Sequence, residues 1–308
     1  MTGIVILTYN TWDVTKECVN SILSSHIGVP YKIYLVDNHS ETSCTAEIEK
    51  IIKDNGNITY IRAKENRGYS AGNNIGIKEA LRDHCEYILI ANNDIIFTDD
   101  ILTGLTEFLE KNKKAGIAAP KIILPDGKTQ ETNLGCKMTL RGKYLWILRN
   151  TPLGFLSRRF CNKFHIDIDR YHSPLRVFGV SGCCFLFRSE CVKEIGYFDE
   201  NTFLYEEENI ISCKMERKGY DTYIIPAYTV IHHHGYSTNT NRPAAYAAFV
   251  ESEIYYCRKY LKAPGILLIW LSLIRILNYV FLCGKSREYR SYFGRFLKKS
   301  VTGFFRNI

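Results

Sequence analysis

Short apolar runs alternate with amphipathic stretches through the first hundred residues. Residues 3–8, GIVILT, are apolar and closed by polar neighbours. The spacing of Val14, Cys18, Ile22 and Leu23 predicts a helix directly after them. YKIYLVDN (31–38), ITYIRAKEN (58–66) and YILIANND (87–94) read as further strands, separated by helix-like segments at about 43–54 and 73–83. Strands that alternate with helices predict an α/β fold, a mostly parallel sheet covered on both faces. Ligands of such sheets gather at the carboxyl ends of the strands. Here those ends read TYN, VDN, KEN and NND. Asn and Asp form turns readily and strands poorly, so one such ending is a turn. Four along one rim predict a polar pocket.

Beyond residue 116 the pattern loosens. GIAAPKIILPDGK predicts a strand and a Pro-Asp-Gly turn, and 135–175 is basic and aromatic without period, which predicts long loops or a small excursion. VFGVSGCCFLFR (177–188) reads as one strand with glycines inside it, where a ligand or another backbone comes close. A helix near 189–195, the segment FLYEEENIISCKMERKGY and a strand ending in VIHHHGYS follow. Pro243 opens a helix with Tyr246, Phe249, Val250, Ile254, Cys257 and Leu261 on one stripe.

Charge divides the chain. The net charge is +8, yet residues 257–308 hold eleven Lys or Arg and one acid, Glu288, for +10, while residues 1–256 sum to −2. A basic tail points to an anionic surface, nucleic acid or membrane phospholipid. The eleven cysteines form no paired C-x-x-C motifs, which argues against a zinc knuckle or a disulfide framework and for small buried hydrophobes in a reducing cytosol. MTGIVILTYN starts a strand almost at once, so no secretion leader is expected.

A nucleoside diphosphate in the rim pocket would need its charge offset. Neither G-x-G-x-x-G nor G-x-x-x-x-G-K-[ST] is present, so a divalent cation, Mn²⁺ or Mg²⁺, is the natural substitute, and Asp94 is placed to hold it. VILTYNTWDVTKECVNSIL, IYLVDNHS, KENRGYSAGNNIGI, YILIANNDIIF, VSGCCFLFRSECVKEIGYFDENTFLYEEENI and VIHHHGYST resemble, in order, the landmarks of family 2 glycosyltransferases, the rhamnosyltransferase type above all. The resemblance covers roughly residues 3–240. It implies a GT-A fold over 1–240, with 241–308 as a helical extension, and single inverting transfer of a sugar from a dTDP- or UDP-sugar. The Q-x-x-R-W motif of processive members is absent.

By that resemblance Thr8, Tyr9 and Asn10 line the base and ribose, Asp37 accepts from the pyrimidine, and Asn66 and Asn74 sit near the diphosphate. The NND segment takes the place of the family's D-x-D motif, so Asn92 and Asn93 flank the donor and Asp94 binds metal. Taken alone, NND is a turn. FLYEEEN falls where the family carries Glu-Asp, which puts Glu207 and Glu208 on those positions. Glu208, longer than the usual Asp, is expected as base, with Glu207 in reserve and Glu206 as a solvated helix start. Of the three histidines, His232 is expected at the metal, with His234 on the same face if the strand continues. Gly182 is expected to shape the acceptor floor, and Cys183 and Cys184 to be buried packing rather than nucleophiles.

GILLIWLSLIRILNYVFLCG (265–284) is nearly apolar but carries Ser272, Arg275 and Asn278 at three-residue spacing. A central arginine disfavours a membrane span. The segment is expected either to lie on the cytoplasmic leaflet near a lipid-linked acceptor or to form a homodimer contact. Two other functions compete. A sugar nucleotidyltransferase would need a glycine-rich first loop, which LTYNTWD lacks, and a degenerate transferase would act as a binding scaffold.

Overall fold

The computed structural model describes residues 1–131, 134–149, 151–233 and 242–305, the last five as backbone only. Strands β1 (Thr2–Thr8), β2 (Tyr31–Asp37), β3 (Ile58–Arg62) and β4 (Tyr87–Asn92) run parallel in the order β3-β2-β1-β4. Their crossovers are α1 (Trp12–Ser24), α2 (Ala46–Asp54) and α3 (Tyr69–Arg82). The continuous apolar runs follow from burial on both faces. Ile4, Ile6, Ile33 and Leu35 pack on one side with Trp12, Cys18, Ile22 and Ile48, and Val5, Tyr34 and Val36 on the other with Ile77 and Ala80. The α3 helix begins four residues earlier than its sequence pattern predicts. Gly68 (φ 89°) stands at its N-cap, where an added Cβ would lie 2.0 Å from the Phe203 carbonyl oxygen, and Tyr69 N–H donates to that same oxygen. A distant loop sets this helix start.

The sheet continues through β5 (Ile95–Phe97), β6 (Ala115–Ile123), β7 (Leu175–Val177), β8 (Cys184–Arg188) and β9 (Asp221–His232). Its full order is β3-β2-β1-β4-β8-β6-β9-β5, with β7 also on β9 and with β8 antiparallel to both β4 and β6. Helices α4 (Ile101–Lys111), α5 (Leu140–Leu148), α6 (Arg158–Phe164), α7 (Ser189–Glu194) and α8 (Glu207–Lys218) complete this part. The segment 135–175, expected as long loops or a small excursion, carries the helices α5 and α6. The run 177–188 is not one strand. Its middle leaves the sheet at Gly179, whose backbone pairs with Leu134, and at Gly182, whose N–H turns to a glutamate.

Three helices close the described chain: α9 (Arg242–Lys259), α10 (Gly265–Lys285) and α11 (Arg287–Phe305). Tyr256, Tyr260, Leu268 and Leu271 share a core with Ile210 and Cys213 of α8, and Tyr279 stacks on Phe296 at 3.8 Å between ring centroids. The polar stripe of α10, read as the mark of a helix lying on a surface or packed on a partner, makes contacts to α9 of the same chain. Arg275 is buried and makes two bonds to Glu253 of α9, 2.7 Å from Nε and 2.8 Å from Nη2, while Asn278 donates to Tyr246. The reason is charge: a buried carboxylate on α9 needs a cation, and α10 supplies it.

Candidate active site

One end of the candidate site lies where β4 stops. Asn93 Nδ2 donates to Thr11 Oγ1 at 2.7 Å, to Thr15 Oγ1 at 2.8 Å and to Thr8 Oγ1 at 3.3 Å. It pins the turn after β4 to β1 and α1 and leaves the next residue fixed. That residue, Asp94, is buried, and its backbone carbonyl accepts from His233 N–H. Asp94 Oδ1 makes an ion-pair contact of 3.1 Å with His232 Nε2, and this buried oxygen has no further hydrogen-bond partner. On the far side of the ring, His232 Nδ1 lies 2.7 Å from Gln130 Oε1. A Gln carbonyl can only accept, so Nδ1 carries the proton in every form of the ring and Nε2 is turned to Asp94. Burial lowers the His232 pKa, but the Asp94 carboxylate and the Cys183 thiol outweigh it and push it up to about 10.

An orphaned carboxylate oxygen beside an imidazole whose second nitrogen is already bonded fits a divalent cation. Among the described residues no group of three or more His, Cys, Asp or Glu could hold a metal. The pair supplies two ligands, and an oxygen-preferring ion would take the rest from phosphate and water. His234 lies outside the described residues.

The carboxylates of α8 stand across the loop before β8. Glu208 Oε1 accepts from Gly182 N–H at 3.2 Å, Tyr69 O–H donates to the Gly182 carbonyl, and the next carbonyl, that of Cys183, accepts from Asn92 N–H at 2.8 Å. The rim of β4, the 178–183 loop and the start of α8 are thus one hydrogen-bonded assembly. Burial raises the pKa of both Glu207 and Glu208, and Glu207 is raised further by the charge on Glu208. Glu207 Oε2 is buried with no hydrogen-bond partner. Two adjacent carboxylates held in an apolar setting with raised affinity for protons are suited to accept one.

Glu206 is not the solvated helix start expected of it. It is buried, ion-paired to Lys143 of α5, and accepts from Asn209 Nδ2 at 3.0 Å. Lys143 Nζ also lies 3.6 Å from Glu253, which holds Arg275. Four buried charges of alternating sign therefore join α8, α5, α9 and α10. Tyr205 (φ 72°) and Glu206 (φ 65°) are both left-handed, a costly backbone directly before Glu207 and Glu208.

The remaining predicted residues divide in two. Thr8 is buried and shares hydrogen bonds with Thr15 and Asn93, while Tyr9 is half-buried and donates to Glu41. Asn10 (φ 58°) accepts from Glu41 N–H at 2.7 Å. Asp37, fully buried, accepts from Ser40 N–H and Tyr60 O–H, with Arg62 3.5 Å away. Asn66 is half-buried and takes Asn38 and Gly68. Together they line the β1–β2–β3 half of the rim. Asn74, expected near the diphosphate, has its amide engaged with Phe198 and Glu200 and staples α3 to that loop. Cys183 and Cys184 are buried, and burial drives the Cys184 thiol well up, so neither is a ready nucleophile. Gln130, Tyr69 and Lys143 carry no signal of their own in the sequence. The Pro-Asp-Gly turn that folds Gln130 back is visible, but its target is not.

Solved structures share the fold. GalNAc-T7 with UDP, GalNAc and Mn²⁺ has a TM-score of 0.56 at 18% identity, over 75% of this chain and 43% of that one. The S. aureus TarS 1–349 structure has a TM-score of 0.54 at 13% identity, over 98% and 80%. Among curated relatives, the poly-beta-1,6-N-acetyl-D-glucosamine synthase of Staphylococcus epidermidis is 24% identical over 217 residues, 70% of this chain but 46% of the synthase. The chain thus spans about half the length of such relatives. The N-acetylglucosaminyl-diphospho-decaprenol L-rhamnosyltransferase of Mycobacterium tuberculosis is 24% identical over 260 residues, 82% of each chain. The family model for glycosyl transferase family 2 matches residues 3–196, from the first strand to just past α7, so Glu207, Glu208 and His232 lie beyond the matched range. With that match over more than half of the chain, the chain belongs to glycosyl transferase family 2.

Proposed function

We propose that the chain is a metal-dependent, inverting glycosyltransferase of the cytoplasm. It moves one sugar, rhamnose, from a dTDP- or UDP-sugar to a hydroxyl of a polysaccharide or lipid-linked saccharide. The observation that carries this reading is the Asp94–His232 pair on the same hydrogen-bonded rim as Glu208, joined through Asn92, Cys183 and Gly182. The similarity to the mycobacterial rhamnosyltransferase supports the choice of sugar and of a lipid-linked acceptor.

Asp94 and His232 Nε2 would hold the cation. The bound ion supplies counter-charge to the diphosphate as it leaves. Asp37, with its oxygens fixed by Ser40 and Tyr60, orients the base, and Thr8, Tyr9, Asn10 and Asn66 close the nucleoside side. Glu208 takes the proton from the acceptor hydroxyl as its oxygen attacks the anomeric carbon opposite the leaving group. The N–H of Gly182 holds the carboxylate in place before reaction. A thermal-shift and turnover panel of nucleotide-sugars with Mn²⁺ tests the reading. Stabilisation by dTDP or UDP that requires Mn²⁺ and vanishes in Asp94→Ala is expected. Metal-independent binding in both proteins would refute the metal assignment, and binding without transfer to any acceptor would favour a scaffold.

A further inference from the structure

The α10 helix wears its polarity inside out. Leu268, Leu271, Arg275 and Tyr279 are buried against the protein, whereas Ile266, Trp270, Leu273, Leu277 and Phe281 are 44–68% exposed. Those five recur every three or four residues and form one continuous apolar stripe. Of the fourteen large apolar side chains exposed among the described residues, eight lie on this helix, so the patch is concentrated rather than scattered. The α10 helix is long and apolar enough to cross a bilayer. Crossing would nevertheless carry the Arg275–Glu253 pair into hydrocarbon, and that pair also ties α10 to α9. Only the outward face is free to meet lipid.

Charge selects the occupant. Exposed Lys262 precedes the stripe, and Lys285 closes it with Nζ 4.4 Å from the Phe281 ring centroid. The exposed positions of α11 include Arg287, Arg290 and Arg295, and residues 257–308 sum to +10. A second copy seated on this face would bring two such charges together, which repel. An anionic surface is attracted. We propose that the outward face of α10 inserts in the plane of an anionic phospholipid monolayer, with the flanking and α11 cations on the headgroups. The inference does not depend on the transferase reading.

Flotation of the full chain tests it, with vesicles of phosphatidylglycerol and phosphatidylcholine against phosphatidylcholine alone. The parent is expected to float with the anionic vesicles and to lose binding with the neutral ones. Leu273→Gln combined with Leu277→Gln, both at exposed positions, should weaken partitioning by about tenfold or more while Tm stays at the parent value. The parent failing to float with anionic vesicles, or the double variant floating as well as the parent, would overturn the proposal. So would a variant that turns a dimer into a monomer in sedimentation while vesicle binding is unchanged, which would assign the stripe to a second copy.

Discussion

Lys143 is the most exposing place to press on this structure, although it touches neither candidate ligand nor candidate base. Burial lowers its pKa, but Glu206 and Glu253 outweigh that and raise it, so the side chain is a buried cation between two carboxylates. Lys143→Met keeps the stem and removes the charge. Glu253 retains Arg275, but Glu206 loses the cation it is ion-paired to. Breaking one partner out of a buried pair costs about 3–5 kcal/mol. For a chain of this size that is a fall in Tm of order 10 °C. The loss also frees the left-handed turn at Tyr205 and Glu206, whose strain of about 1–3 kcal/mol per residue is held by that contact. Relaxation there moves the start of α8, and a displacement of about 1 Å at a catalytic carboxylate costs on the order of a hundredfold in rate.

The assay separates stability from positioning. Calorimetry on the parent, Lys143→Met, Glu206→Gln and the double variant gives a coupling energy. The double variant should recover part of the lost Tm because no lone carboxylate remains. The pH dependence of kcat/KM gives the second readout. Lys143 lowers the affinity of Glu208 for its proton. Removing the cation therefore moves the acid limb to higher pH. A Tm within about 2 °C of the parent, with an unmoved acid limb, would refute the claim that this cation holds the base in place.

Further outcomes follow from the same geometry. Glu208→Gln should bind donor as the parent does and lose about two to four orders of magnitude in kcat; equal kcat would remove Glu208 as base. In the parent the acid limb of kcat/KM should lie above the ordinary carboxylate range, because burial raises Glu208 and a base must first lose its proton. Since His232 is held protonated with a pKa of about 10, Mn²⁺ binding near neutral pH should release about one proton. Calorimetric titration in buffers of differing ionisation enthalpy measures that release, and no buffer dependence would exclude His232 as a ligand.

Much of the parallel half of the sheet is legible in the sequence because burial on both faces leaves uninterrupted apolar runs, and a run such as YILIANND shows where it ends. The place of Asp94, just past the end of β4, is legible for the same reason. What escapes is every feature whose cause lies far away in the chain. The residues of EEE look alike, yet Glu206 is set apart by Lys143 on the excursion helix. The family resemblance puts Asn74 and Asn93 beside the donor, but their amides are spent on Phe198, Glu200 and three threonines. The polar stripe of α10 is visible and its direction is not, since periodicity gives a face without saying what covers it.

The same charges argue that the division at residue 240 separates sequence patterns rather than folding units. Glu253 and Arg275 belong to the C-terminal helices, Lys143 and Glu206 to the sheet domain, and together they form a chain of alternating buried charge. Around it, Ile254, Tyr255, Tyr256 and Tyr260 pack with Ile210 and Cys213 of α8, and Tyr256 O–H donates to the Met138 carbonyl at 2.8 Å. Each such side chain uncovered costs about 1.5–3 kcal/mol. Four of them already reach about 6–12 kcal/mol, comparable to the whole stability of a typical domain. Truncation after residue 240 should therefore give aggregated or partly unfolded protein rather than an active enzyme that has lost only its docking face. A monodisperse, cooperatively melting 1–240 fragment with donor-dependent turnover would show instead that α9 and α10 are appendages and that the base is held by the sheet domain alone.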